Sequence, residues 1–346
     1  MNRVYLDWNA TAPLRSEARD AMIAAMDVVG NPSSVHAEGR KAKGLMERAR
    51  AQVADAFGCD VNGIIWTGSA TEAAGLMMSG RELRCAGIEH DCVQVHGASS
   101  LDVNSDGLAQ GADSFVMQGA NSETGILQGG TVQGAVMSDQ VQVFGKLPVS
   151  FNWLDVHSAI LSAHKIGGPT GVGALIVRDG IDIKPQIKGG GQEQGRRSGT
   201  ENLLGIVGFG AAATAAAQDL ANGVWENVQA LRDQMEARIL DATSKVIIFG
   251  KDVNRLPNTS NFAIPGWKGE TQVMNMDLAG FAISAGSACS SGKVKTSRVL
   301  KAMGYDDITA SSAVRVSIGP TTTEQQVMNF ADAWITAYKK FAARNA

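Results

Sequence analysis

A helical apolar period that hands over to short, uninterrupted apolar runs constrains this chain more than any other feature. Leu45, Ala49, Val53 and Ala56 recur at the spacing of one helix face, and Gly63-Ile64-Ile65-Trp66 then reads as a short buried strand. Further strand-like runs stand at Ala135-Val136-Met137 and Gly173-Ala174-Leu175-Ile176-Val177, with glycine-rich polar segments between them. Such strands and loops are expected of an α/β sheet whose loops carry function.

The helical period returns at Trp225, Val228, Leu231, Met235 and Ile239, followed by a strand over 246–249, and a second lobe is expected to begin nearby. Val327, Phe330, Ala331, Trp334, Tyr338 and Phe341 share one face of a closing helix, which Thr322 and Gln325 can open as a capping box. Those aromatics read as core. With 346 residues, 44% of them hydrophobic, the chain can bury two packed lobes. The most apolar stretch, 203–217, is broken by Gly205, Gly208 and Gly210 and is short for a membrane span, so a buried helix is expected.

A net charge of -3 with scattered basic residues gives no footprint for nucleic acid, so a small-molecule site is the better expectation. The N-terminal residues lack the apolar core of a secretory signal, and the mature chain is expected to begin near Met1. Cys59, Cys85, Cys92 and Cys289 are too few for a disulfide framework, which points to a reducing, cytoplasmic setting. Cys85 and Cys92 flank His90, but no second pair completes a tetrahedral zinc set, and no metal is expected.

Four segments carry chemistry. Trp66-Thr67-Gly68-Ser69-Ala70-Thr71-Glu72 joins a strand to a helix that Ser69 and Glu72 can cap, and the free N–H groups of such a helix start suit a phosphate. Alone it would read as no more than a well-capped helix. Ser162-Ala163-His164-Lys165-Ile166-Gly167-Gly168-Pro169 sets a lysine between an apolar stretch and a glycine turn, which is either a surface lysine or the amine that pyridoxal phosphate needs. That cofactor also needs a carboxylate beside its pyridine nitrogen, for which Asp139 is the candidate, and Gln142 could reach its ring oxygen.

The third segment, 189–202, combines flexible glycines with Arg196, Arg197 and Thr200, donors for an anion or simply a surface loop. In the fourth, Ser284-Ala285-Gly286-Ser287-Ala288-Cys289-Ser290-Ser291-Gly292, one thiol stands among small residues, a setting for a reactive cysteine.

Taken in order, these segments closely resemble the cysteine desulfurases of the class V aminotransferase superfamily, together with Tyr5-Leu6-Asp7-Trp8-Asn9-Ala10-Thr11, Gly30-Asn31-Pro32-Ser33-Ser34-Val35-His36, Pro257-Asn258 and 312–319. The resemblance covers nearly the whole chain and implies the fold-type I architecture of pyridoxal-phosphate enzymes. It implies a large, mainly parallel-sheet domain over residues 13–230 and a smaller α+β domain over 1–12 and 231–346 that carries the cysteine loop.

The resemblance also implies roles. Lys165 would hold pyridoxal 5′-phosphate, Asp139 would face its pyridine nitrogen, and Ala70, Thr71, Ser162 and His164 would bind its phosphate. Gln142, with Asn121 or Ser122, would contact its ring oxygen. His90 would stack on the ring and move protons, Arg315 would clamp the substrate carboxylate with Asn31 nearby, and Cys289 would take sulfur from L-cysteine as a persulfide. Thr200 would reach the phosphate of a neighbouring subunit, which implies a homodimer. The sulfur would pass to an acceptor such as an iron-sulfur scaffold protein, or serve thiolation.

Three positions depart from the family pattern: Ser122 stands where asparagine is common, Met137 where histidine is usual, and Gly75 where asparagine recurs. Residues 126–138 are also short for a crossover helix, so either a tight loop or a different local strand order is expected there. Selenocysteine lyase or another class V transaminase would share Lys165 and Asp139 without requiring Cys289. A non-catalytic scaffold is the reading from another class.

Overall fold

The computed structural model describes residues 3–110, 113–129, 135–286 and 296–345. A seven-stranded sheet runs, in spatial order, through Ile64–Thr67, Gly173–Val177, Ser158–Ser162, Ala135–Asp139, Phe115–Gln118, Arg84–Ala86 and Ser99–Leu101. Gly173–Val177 is antiparallel to both neighbours, and every other pairing is parallel. The first three strands and Phe115–Gln118 are buried along their whole length, which is why they read as apolar runs without alternation.

Two of the parallel strands, Phe115–Gln118 and Ala135–Asp139, are joined without a helix in the described part of the connection. That part folds back through a bridge between Ala120 and Leu127, and a second bridge from Ile126 to Arg255 fastens it to the C-terminal half. In the described residues of this connection the short spacing is met by a loop.

Ala37–Phe57 is capped by His36, whose Nδ1 accepts from Gly39 N–H, and stops at Gly58, whose φ of 62° is left-handed. The glycine-interrupted apolar segment forms the helix Leu203–Ala221, which packs on Ala37–Phe57 and Ser16–Met26. A Cβ on Gly210 would lie 2.7 Å from the Ala49 Cα, so glycine there sets how closely the two helices approach. This helix is long and apolar enough to cross a membrane, yet 56% of its most apolar window is buried inside the fold.

A four-stranded antiparallel sheet, in the order Ser284–Ala285, Ala313–Ser317, Thr259–Ala263, Ile247–Ile248, forms the second layer system. Helices Val224–Ala242 and Glu324–Arg344 contribute Trp225, Val228, Phe330 and Trp334 to a hydrophobic cluster with Leu6, Phe262 and Trp267. Trp334 lies edge-on to Phe262 at 5.2 Å, and its indole N–H donates to Gln272 Oε1. Val4–Tyr5 pairs with Phe281–Ala282, which returns the chain start to the C-terminal half.

The capping box of the last helix is one residue later than its sequence suggests. Thr323 and Gln326 form it, because the hydroxyl of Thr322 already accepts from Gly319 N–H at 3.0 Å.

Candidate active site

Ligands of open α/β sheets lie beyond the carboxyl ends of parallel strands. Here those ends converge on a cavity of about 270 Å³. Strand Ala135–Asp139 delivers Asp139 to its wall, with Oδ1 accepting from Val141 N–H at 2.9 Å. Burial pushes this carboxyl up, while the Val141 N–H and the positive charges of His90 and Lys165 hold it down.

Strand Ser158–Ser162 delivers Ser162, and the single 3-10 turn Ala163–Lys165 brings His164 and Lys165 to the same wall. The amine of Lys165 donates to the main-chain carbonyls of Asn9 at 2.6 Å and Ala10 at 3.0 Å. Burial and then Lys165 press the His164 imidazole down to about 4, so it is neutral near pH 7, with Nδ1 3.2 Å from Thr11 Oγ1.

Strand Ile64–Thr67 leads into helix Ala70–Met78 through Gly68 and Ser69. Ser69 Oγ accepts from Glu72 N–H, and Glu72 Oε2 accepts from Gly68 N–H at 2.6 Å. The first-turn N–H groups of Ala70 and Thr71 have no intrahelical acceptor, and both residues line the cavity. Gly173 makes room for this corner: a Cβ there would lie 2.7 Å from the Ser69 carbonyl carbon and 2.9 Å from Ala70 N.

His90 caps the short helix Asp91–Gln94. Its Nδ1 accepts from Cys92 N–H at 3.2 Å and lies 3.0 Å from Cys92 Sγ, so a ring proton belongs on Nε2. Arg315, 2% exposed, donates from Nη2 to Asp7 and from Nη1 to the Ser122 carbonyl at 3.0 Å. Its Nε has no hydrogen-bond partner among the described residues, a buried donor at the cavity rim with capacity for an anion.

Ten of the residues singled out in the sequence line this one cavity: Ala70, Thr71, His90, Ser122, Asp139, Gln142, Ser162, His164, Lys165 and Arg315. Four do not. The side chain of Asn121 is turned into its own turn, where Oδ1 accepts from Glu123 and Thr124 N–H and Nδ2 donates to Ile88 O, so Ser122 alone of that pair lines the cavity. Asn31 is exposed, with its amide oxygen closing a turn on Ser33 N–H. Thr200 is exposed and outside the cavity. Cys289 lies outside the described residues.

The 189–202 loop is tied to the fold by several hydrogen bonds. Arg197 donates to Glu72 at 2.7 Å, and the buried Glu193 accepts from Arg50 at 2.8 Å and from Trp66 N–H at 3.0 Å. Of the family departures, Met137 is fully buried in the apolar interior and does not line the cavity. Asn9, Gln118 and Cys92 line the cavity without having been given a role in the sequence. Lys146, fully buried behind it, was also missed, since its only signal is a lysine four positions after Gln142 in an apolar setting.

The donor set fits pyridoxal phosphate. The lining offers a buried carboxyl, a lysine amine, and first-turn N–H groups together with the Ser162 hydroxyl and the neutral His164 imidazole.

The Aminotransferase class-V family model matches residues 4–93 and 86–330. A cysteine desulfurase of Cereibacter sphaeroides is 35% identical, covering 94% of this chain and 93% of its own length. The cysteine desulfurase IscS of Dictyoglomus turgidum is 33% identical, covering 94% and 91%. The X-ray structure of a NifS-like protein from Rickettsia africae superposes with a TM-score of 0.89 at 31% identity, over 98% of this chain and all of that one.

Proposed function

We propose that this chain, which belongs to the cysteine desulfurase family of class-V aminotransferases, converts L-cysteine to L-alanine and carries the sulfur on Cys289 as a persulfide. The observation that supports it most is the convergence of Lys165, Asp139 and the Ala70–Met78 helix start on one cavity. When bound there, pyridoxal 5′-phosphate would supply the electron sink that stabilises negative charge at the substrate α-carbon.

Each residue then has a task. Lys165 would hold the cofactor and would move the proton at the substrate α-carbon. Asp139 would stand at the pyridine nitrogen, and Ala70, Thr71, Ser162 and His164 would hold the phosphate. Gln142 and Ser122 would reach the ring oxygen, while Asn121 supports the turn that carries Ser122. His90 holds its proton on Nε2, where it can be donated. Arg315, pinned by Asp7 and Ser122 O, offers its remaining donor to the substrate carboxylate, and the Cys289 thiolate takes the substrate sulfur, so cysteine and thiol become alanine and persulfide.

A homodimer completes this reading. Thr200 is exposed and stands away from the cavity of its own chain, as a residue serving the phosphate of a second copy would. Asn31, also exposed, would lie near the substrate. A division into residues 13–230 and residues 1–12 with 231–346, a cytoplasmic setting, and delivery of the sulfur to an iron-sulfur scaffold protein or for thiolation belong to the same proposal.

The test is mass spectrometry after incubation with pyridoxal phosphate and L-cysteine. Borohydride should leave a pyridoxyl group on Lys165, and Cys289 should gain one sulfur atom as alanine appears. Cys289→Ser should keep the cofactor colour and lose alanine formation. Parental alanine and sulfide release by that variant would replace the proposal with a lyase reading.

A further inference from the structure

Lys146 is among the largest fully buried side chains, at 2% exposure, and among the described residues it has no carboxylate partner. Lysine is rarely buried in this way unless paired. Its amine donates instead to two neutral amide oxygens, Gln142 Oε1 at 2.8 Å and Asn9 Oδ1 at 3.0 Å. Burial holds the amine well below the usual lysine range, and the positive charges of Lys165 and Arg315 push the same way. Both of its acceptors are neutral amide oxygens.

The three side chains close a ring. Gln142 Nε2 donates to the Asn9 main-chain carbonyl at 3.1 Å, the same oxygen that accepts from Lys165. Because Lys146 occupies Oε1 of Gln142 as a donor, the amide cannot turn over, and its N–H₂ edge stays on the Asn9 carbonyl. Asn9 is fixed in turn by Asn258 Nδ2 on Oδ1 and by its own Nδ2 on Thr259 Oγ1, so strand Thr259–Ala263 anchors the ring.

We propose that Lys146 is a positioning residue: by holding Gln142 Oε1 and Asn9 Oδ1, it fixes the Gln142 amide and the Asn9 carbonyl that face the cofactor and Lys165. This rests on the reading of the cavity as a pyridoxal-phosphate site. A buried lysine that only filled space would be replaced by an apolar side chain of similar length without effect on the cavity.

The experiment is a double-mutant cycle on pyridoxal-phosphate binding to the apoprotein, read by fluorescence quenching and by the visible circular dichroism of the bound cofactor. Binding by the parental protein establishes the cavity reading independently. Lys146→Met should raise the cofactor Kd about tenfold and alter the dichroic band, whereas Lys146→Gln, which restores N–H donors, should recover most of both. The double variant Lys146→Met/Gln142→Ala should bind less weakly than the product of the two single losses, because both variants break the Gln142 contact while only Lys146→Met breaks the one to Asn9. Should Lys146→Met not fold, Lys146→Leu takes its place in the cycle. Parental Kd and dichroism in the apolar variant, or losses that multiply in the double variant, would overturn the proposal.

Discussion

Oδ1 of Asp7 lies 2.6 Å from Nη2 of Arg315, while Oδ2 of the same carboxylate accepts from Ser284 Oγ at 2.7 Å. One side chain from the chain start thus pins an arginine of strand Ala313–Ser317 and the strand beside it, Ser284–Ala285. The guanidinium enters the cavity already oriented, so substrate binding need not order it.

Asp7→Asn should therefore raise KM for L-cysteine about tenfold while moving kcat much less, since one charge-assisted hydrogen bond contributes about 1.5–3 kcal/mol. Steady-state alanine formation measures both constants. A fall in kcat at constant KM would place the role of Asp7 elsewhere.

Gly173→Ala would set a methyl group 2.7 Å from the Ser69 carbonyl carbon, against backbone that cannot yield cheaply. The expected destabilisation is about 1–3 kcal/mol, as for overpacking in a dense interior. Cofactor affinity should fall with it, because the displaced corner begins the Ala70–Met78 helix. Urea unfolding and pyridoxal-phosphate titration of the same variant report the two effects separately.

Removing Glu193 leaves the Arg50 guanidinium with only the half-exposed Glu47 as a carboxylate partner, at 3.2 Å, in place of the interior pair that meets at 2.8 Å with side-chain exposures of 10% and 2%. Glu193→Ala should lower unfolding free energy by about 3–5 kcal/mol. Because Glu193 also accepts from Trp66 N–H, loosening there should reach the strand that leads to Ala70. An unchanged urea midpoint would show that the pair contributes nothing to stability.

Burial is the main cause that pushes the Glu123 carboxyl up to about 7 from 4.5, against the Ser297 hydroxyl and two arginines that favour its ionised form. A folded-state value raised above the unfolded one gives stability that is complete below about 4.5 and is lost as pH rises through about 7. The shift of roughly 2.5 units corresponds to about 3 kcal/mol at most. Glu123→Gln should match the parent near pH 4.5 and exceed it in melting temperature above pH 7.5. A constant difference between the two proteins across that range would show that Glu123 does not titrate in this window.

The sequence by itself determined the α/β alternation, the closing amphipathic helix and most of the cavity wall. Doubly buried strands such as Ser158–Ser162 must be apolar, and Lys165 and Asp139 sit directly at or just beyond strand ends, so local order along the chain already placed them at one edge of a sheet. Tertiary structure decided what polar side chains do once buried. Thr322 and Thr323 are equally able to cap, and only the Gly319 N–H on Thr322 assigns the box to Thr323. Asn121 and Ser122 were interchangeable until a turn claimed the asparagine amide. The partners of Lys146 come from positions 9 and 142, and those of Asn9 from 122, 258 and 259. A buried polar group takes its hydrogen bonds from whatever the fold brings within about 3 Å, and no local period along the chain records that distance.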